Sequence, residues 1–225
     1  MTLIEELRHL IGEAEPYQAL LRVPREARIG LQLIDSGEEA TLIFGEDRLE
    51  VVEGLEEPDM LLRLECPLLQ RILDGEADFG ALLARSVSTE ESPMGLEVLN
   101  PENPSALEAL RASLILFTPG RVKVKRLASE LAGEAHGGRP IPLLYWDGVR
   151  VAWYLVRGGE TLNPDEERDP YPQLLIILKG RGLLRLEERE MAVKPSRAIY
   201  IPPNSLHQLR AEEDIELLWV AWRAF

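Results

Sequence analysis

From Pro140 onward the chain is built of short apolar runs, closed by turn residues at intervals of about eight to twelve positions. Ile141-Pro-Leu-Leu-Tyr-Trp and Val149-Arg-Val-Ala-Trp-Tyr-Leu-Val flank Asp147-Gly148, a two-residue hairpin signal. Gln173 to Lys179 reads as a strand ending at Gly180. Leu183-Leu-Arg-Leu, Met191-Ala-Val, Ala198-Ile-Tyr-Ile, Leu206-His-Gln-Leu and Ile215 to Trp222 continue the run. A succession of this kind predicts a β-sandwich or barrel over residues 140–225.

The first half follows different periods. Thr2 and Glu5 form a capping box ahead of Leu3, Ile4, Leu7, Leu10 and Ile11, which share a helix face that Gly12 closes. His9 lies off that face and reads as a surface side chain. Strands are expected at 28–34, 40–44, 48–52 and 60–65. A helix then carries Leu68, Leu69, Ile72 and Leu73 to Gly75, and Asp78 caps another bearing Phe79, Leu82 and Leu83. Residues 86–104 read as a polar loop, interrupted at most by Gly95-Leu-Glu-Val. Asn103-Pro104 opens a helix with Leu107, Leu110, Leu114 and Phe117 as its stripe, and Pro119-Gly120 stops it. Residues 119–139 read as a connector. Arg121-Val-Lys-Val-Lys-Arg suits an exposed strand guarded by charge, with an anion site as the sharper alternative, and Gly133 to Gly138 suits a hinge. The fold class is therefore α+β in two domains, 1–118 and 140–225, joined by 119–139.

Charge follows the same division. Residues 1–118 hold nine basic side chains, all Arg, against 24 acidic ones, whereas residues 119–225 hold 16 against 15. An acidic half with no lysine before Lys123 excludes a nucleic-acid platform, which needs a basic patch. No apolar run approaches the roughly 20 residues of a membrane span. Cys66 is the single cysteine, so neither an intrachain disulfide nor a cysteine zinc site is available. The N-terminus shows no cationic region and no cleavage site, and a cytoplasmic protein is expected.

Two short motifs carry a resemblance. Gln173 is followed seven positions later by Gly180, and Ser196, Pro202, Asn204, His207 and Ala211 keep a second fixed spacing. The C-terminal half resembles the cupin family, double-stranded β-helix barrels of the jelly-roll type. The family's first motif runs His-x-His, three or four residues, Glu, six residues, Gly. Gln173 stands at its Glu, and Glu167 and Asp169 at its paired His under the shorter spacing, or Glu166 and Arg168 under the longer. In the second motif Pro202 and His207 match, Asn204 replaces a Gly, and Ser196 and Ala211 replace the outer Gly and Asn. The resemblance implies a barrel whose interior carries Glu167, Asp169, Tyr171, Gln173, Leu175, Ile177, His207 and Leu209. The family's metal set of three His and one Glu is reduced to one imidazole.

The N-terminal half is similar to the sterol-carrier-protein-like family, in which helices close over a five-stranded sheet around an apolar tunnel. The similarity rests on element order, on Pro58-Asp-Met-Leu-Leu-Arg-Leu-Glu, and on Leu68-Leu-Gln-Arg-Ile-Leu-Asp-Gly with Ala77-Asp-Phe. The Gly-plus-strand segment expected after the second helix is replaced by the Ser86–Pro93 loop. Phe79, Leu83, Leu110 and Leu114 are candidates for a tunnel wall, though an ordinary helix core accounts for them better.

These readings point to a non-enzymatic protein that binds a small molecule, apolar or lipid-like, with a metal-free barrel, no metal or other cofactor, and Glu167, Asp169, Tyr171, Gln173 and His207 as ligand-binding residues. The alternative is a cupin enzyme. In a metal form, Glu167, Asp169 and His207 hold the ion for oxygenase- or isomerase-like chemistry. In a metal-free form, His207 is the acid/base of an epimerase-like reaction, oriented by Asp169 or Tyr171. A homodimer through the barrel is expected, with the 121–126 strand at its edge. Trp146, Trp153, Trp219 and Trp222 read as core or interface rather than ligand clamp.

Overall fold

The computed structural model describes residues 2–88 and 92–223. The chain forms two compact units, Met1–Arg126 and Leu127–Phe225.

The first unit opens with α1 (Leu3–Glu13), which buries Leu3, Leu7 and Leu10. The Thr2 N–H donates to Glu5 Oε2 at 2.8 Å, so one of the helix's free donors is satisfied locally. The helix runs through Gly12 to Glu13 and is followed by a 3₁₀ turn and the short α2 (Gln18–Leu21), neither of which the periodicity announces. Strands β1 (Ala27–Leu33), β2 (Glu39–Phe44) and β3 (Leu49–Glu53) form an antiparallel meander. β4 (Met60–Leu64) then crosses to lie parallel to β1. After α3 (Cys66–Leu73) and α4 (Phe79–Ser88), β5 (Gly95–Val98) pairs antiparallel with β4, giving the order β3-β2-β1-β4-β5. Two expectations are corrected here. The segment 86–104 is not one loop, because α4 extends to Ser88, and the strand thought to be replaced by the Ser86–Pro93 loop is present at 95–98. Thr89–Glu91 of that loop lie outside the described residues.

The last helix of this unit, α5 (Pro104–Leu116), is capped by Asn103, whose side chain accepts from the Ser105 N–H. Its buried face is made of Ala106, Ala109, Leu110, Ser113 and Leu114, while Leu107 is exposed, against its assignment to the stripe. Small side chains let the helix sit close, and the buried Ser113 and Thr118 hydroxyls donate to the Ala109 and Leu114 carbonyls one turn back. Phe79 and Phe117 stack with ring centroids 4.4 Å apart. Phe79, Leu110 and Leu114 are all buried.

Residues 121–126 form a turn and irregular chain, not the expected strand. The charge logic is also inverted. Lys123 Nζ donates to the Thr118 carbonyl and Lys125 pairs with Asp78 at 2.6 Å, both lysines turned inward, while Val122 and Val124 are exposed. Burial pushes the Lys123 ammonium below its ordinary range.

In the second unit β6 (Arg139–Trp146) and β7 (Val149–Val156) form the anticipated hairpin, with Asp147 and Gly148 both at positive φ as a type I′ turn requires. β8 (Thr161–Leu162) is short and was not foreseen. β9 (Gln173–Lys179), β10 (Gly182–Leu186), β11 (Arg189–Val193), β12 (Arg197–Ile201), β13 (His207–Ala211) and β14 (Ile215–Trp222) complete two antiparallel sheets, β12-β9-β14-β7-β6 and β11-β10-β13-β8. Their inner faces meet in a core that includes Ala152, Val156, Ile177, Leu184, Ile199, Leu209 and Leu217. Leu131 packs with Ile141, Trp153 and Leu155 in a second, smaller cluster.

Turn chemistry explains which motif positions tolerate exchange. Gly180 has φ +85, and a Cβ there would stand 2.1 Å from the Asp214 carbonyl oxygen, so only glycine fits. Asn204 and Ser196 replace family glycines and keep positive φ, at +59 and +64. Asparagine enters this region readily, whereas Ser196 carries strain that the turn imposes.

Candidate functional site

A cavity of about 640 Å³ opens in the barrel, and Glu167, Asp169, Tyr171, Gln173 and His207 all line it. They do so by different routes. Gln173 begins β9, and burial alternates along that strand through Leu175 and Ile177, as period-two geometry requires. His207 begins β13 and alternates inward with Leu209 and Ala211. Residues 166–171, by contrast, are not a strand. Alternation therefore does not place Glu167, Asp169 and Tyr171. A loop does.

That loop is organised by Asn163, buried and at φ +58. Its N–H donates to the His136 carbonyl, and its side-chain amide donates to the carbonyls of Glu167 and His207 at 2.9 and 2.8 Å. Its Oδ1 accepts from the Glu167 N–H. One asparagine thus ties the turn around His136, the 163–167 loop and the start of β13. The turn is itself tightly seated: a Cβ on Gly137 would lie 2.1 Å from the Thr161 carbonyl oxygen. Glu167 projects from the cavity rim, about 61% exposed, and pairs with His136 Nδ1 at 3.0 Å.

Asp169 is engaged on both oxygens. Oδ1 accepts from the Tyr171 N–H at 2.9 Å, and Oδ2 from Arg150 Nη2 at 2.8 Å. Arg150 comes from β7, and its guanidinium carbon lies 4.6 Å from the Tyr171 ring centroid and 5.1 Å from that of Trp219. Trp219 Nε1 donates to Gln173 Oε1 at 2.8 Å. An indole only donates, so this bond fixes the amide orientation and leaves the Gln173 NH₂ toward the cavity. Tyr154 packs edge-on against Trp219, with centroids 6.4 Å apart, and burial pushes its phenol well above the ordinary range. His207 Nδ1 lies 3.2 Å from the Ser205 carbonyl, which assigns the Nδ1–H tautomer and leaves Nε2 as the cavity-facing nitrogen.

Register explains the grouping. On β14, Ala221 pairs with Gln173 on one side and Arg150 on the other, so the two face inward in one row. Trp219 pairs with Leu175 and Ala152 in the next row. Sequence reading missed Arg150, Asn163, Tyr154 and His136, and Trp219, assigned to core or interface, packs against the barrel core and also lines the cavity. The available signal was Arg150 itself, a charge inside an apolar strand at the same parity as Ala152 and Tyr154.

The donor set does not suit the metal that the barrel family usually holds. Among the described residues no group of three or more His, Cys, Asp or Glu side chains is placed to hold an ion. Asp169 is committed to Arg150, Glu167 pairs with His136 at the rim, and the Gln173 carbonyl is committed to Trp219. A guanidinium on the same wall adds repulsion.

The Cupin_2 family model, described as a cupin domain, matches residues 153–222. Similar solved structures include a cupin 2 conserved barrel domain protein from Salinispora arenicola, 20% identical over 46% of this chain and 90% of that one, with a TM-score of 0.42. A cupin superfamily protein from Desulfitobacterium hafniense is 18% identical over 44% of this chain and 88% of its own, with a TM-score of 0.38. A predicted oxalate decarboxylase from Thermotoga maritima is 16% identical over 39% and 81%, with a TM-score of 0.36. No curated protein matches the chain. No helix among the described residues is long and apolar enough to cross a membrane. The family match, with the two facing sheets and the surviving Gly180 and Pro202–His207 turns, identifies residues 153–222 as a cupin domain.

Proposed function

We propose that the barrel is a metal-free small-molecule binding site and that the protein is not an enzyme. The observation that carries this reading is Arg150. Its guanidinium lies between two aromatic rings and is held by Asp169, on the wall where a metal cupin needs free anionic or imidazole ligands. Tyr154, Leu162, Leu175 and Trp219 supply apolar wall, and a few polar groups sit near the mouth, the usual composition of a ligand pocket.

The competing enzymatic reading needs His207 oriented by Asp169 or Tyr171. His207 Nδ1 is instead turned to the Ser205 carbonyl, and both Asp169 oxygens are bonded elsewhere. An imidazole held by a backbone carbonyl, with Asp169 engaged elsewhere, favours binding over proton transfer. Elemental analysis of purified, dialysed protein tests the proposal. We expect metal well below one equivalent, and a one-to-one content that survives dialysis overturns it.

Two subsidiary parts belong to the same proposal. The N-terminal half is read as a sterol-carrier-like domain, supported by its five-stranded sheet with packed helices. Pairing of barrels into a homodimer is supported by the exposed Leu178 and Tyr200 on β9 and β12. With residues 121–126 irregular, that segment is no candidate edge strand. Light scattering that finds a monomer at high concentration removes the dimer.

A further inference from the structure

The geometry points to a ligand class: a small organic acid whose carboxylate meets Arg150 and Gln173 while its apolar body lies against Trp219 and Leu175. This rests on the reading that the barrel is a metal-free binding site, and it deepens that reading. The carboxylate and amide acceptors on the wall are already used, and His207 Nε2 is the acceptor left open. Asp169 accepts from Arg150 and from the Tyr171 N–H, Glu167 is paired at the rim, and the Gln173 carbonyl takes the indole N–H. The donors are not used up. Only one guanidinium nitrogen of Arg150 is bonded to Asp169, the Gln173 NH₂ is left over, and the buried Tyr154 hydroxyl keeps its proton.

A wall with surplus donors selects a ligand that brings acceptors. A guanidinium favours an anionic, planar acceptor, because its parallel N–H groups match the two oxygens of a carboxylate. Asp169 shares the charge and holds the guanidinium in place, so it lowers the affinity for an anion while fixing its geometry. The rows of the sheet set the orientation. Arg150 and Gln173 share one row, whereas Trp219 and Leu175 occupy the adjacent one. The acid group and the apolar body thus have separate seats.

The experiment titrates the full chain with phenylacetate, hexanoate and their primary amides, following tryptophan fluorescence. The W219F variant assigns the signal to the cavity. Both acids are expected to saturate, and each to bind about tenfold or more tighter than its amide, the scale of one charge-assisted hydrogen-bonded pair. R150Q is expected to abolish that preference. D169N keeps an acceptor for the Tyr171 N–H and releases the guanidinium charge, so it is expected to tighten acid binding several-fold. A misfolded variant cannot produce that gain. Amides that bind as tightly as acids, or a D169N variant that binds acid no better, overturn the carboxylate inference and leave the binding-site reading standing. If none of the four compounds saturates, both fall.

Discussion

Each unit of the protein contains a well-bonded aspartate, and the two differ in what surrounds them. Asp59, buried in the N-terminal unit, accepts from the Arg28 N–H and the Asn100 side chain at 2.8 Å, and from the Asn103 side chain at 3.0 Å. Its donors are spent in turn. Asn103 also donates to the Glu26 carbonyl and caps α5, and the Arg28 side chain reaches Glu26 and the Glu56 carbonyl. A shallow polar depression lies over this group, but its walls are bonded to one another. Asp169 in the barrel accepts two hydrogen bonds, one on each oxygen, yet one partner is a guanidinium with donors left over, beside a cavity. Pairing alone does not mark a site, since both aspartates have it. The surplus of unspent donors around the second one does.

The molecule allows this contrast to be tested one unit at a time. All four tryptophans lie at 146 and beyond, so their fluorescence reports the barrel. Every helix among the described residues lies in the first unit, so helical circular dichroism reports that unit. The largest effect is expected from D59A, which strands three donors. It should destabilise the N-terminal unit by about 3 kcal/mol, seen as a lower denaturation midpoint in the helical signal. The tryptophan midpoint should stay in place. If both signals move together, the units unfold as one and the contrast cannot be drawn unit by unit.

R150Q should cost the barrel about 2 kcal/mol, because it leaves a carboxylate that is about 20% exposed without its counter-charge. The double variant R150Q/D169N should recover most of that loss without restoring the preference for acids. This separates the stabilising role of the pair from its binding role. A double variant as unstable as R150Q would mean that Arg150 acts through its packing on Tyr171 and Trp219 instead. W219F should be milder, at about 1 kcal/mol, since one hydrogen bond is lost and the Gln173 amide can turn toward the cavity.

The smallest expected effect is a slope. Glu160 is held below the usual carboxylate range, chiefly by hydrogen bonds from Arg139, against the opposing effect of partial burial. A depressed folded-state value means that the contribution is complete above the unfolded value, near 4.5, and is lost as pH falls through the lower folded one. Barrel stability should decline on acidification below about pH 4.5, and E160Q should flatten that decline. An unchanged acid limb in E160Q would assign the slope to other carboxylates.

Much of the scaffold was legible in the residues. The Asp147-Gly148 hairpin, the strand at Gln173–Lys179, the Asn103 cap and the requirement for Gly180 depend on local conformational preferences, which a few neighbouring residues express. The inverted lysines of 121–126 were not legible. Alternation shows that two faces differ, but the carbonyl of Thr118 and the carboxylate of Asp78 determined which face turned inward. Leu107 failed for a related reason. Helical spacing marks a stripe, and close packing of Ala106, Ala109 and Ser113 moved the buried face off it.

The site divides in the same way. Residue types and spacing carried a resemblance to a cupin barrel, which implied one surviving His207, an amide at 173 and five candidate wall residues. Only the tertiary structure brought Arg150 to Asp169, 19 positions away, and Trp219 to Gln173, 46 positions away. The physical reason is strand pairing. Period two states which residues share a face, but β14 lies between β7 and β9, and its register decides which side chains meet across the barrel wall. The charge that reads in the sequence as an ordinary arginine in an apolar strand becomes, in that register, the group around which the cavity is organised.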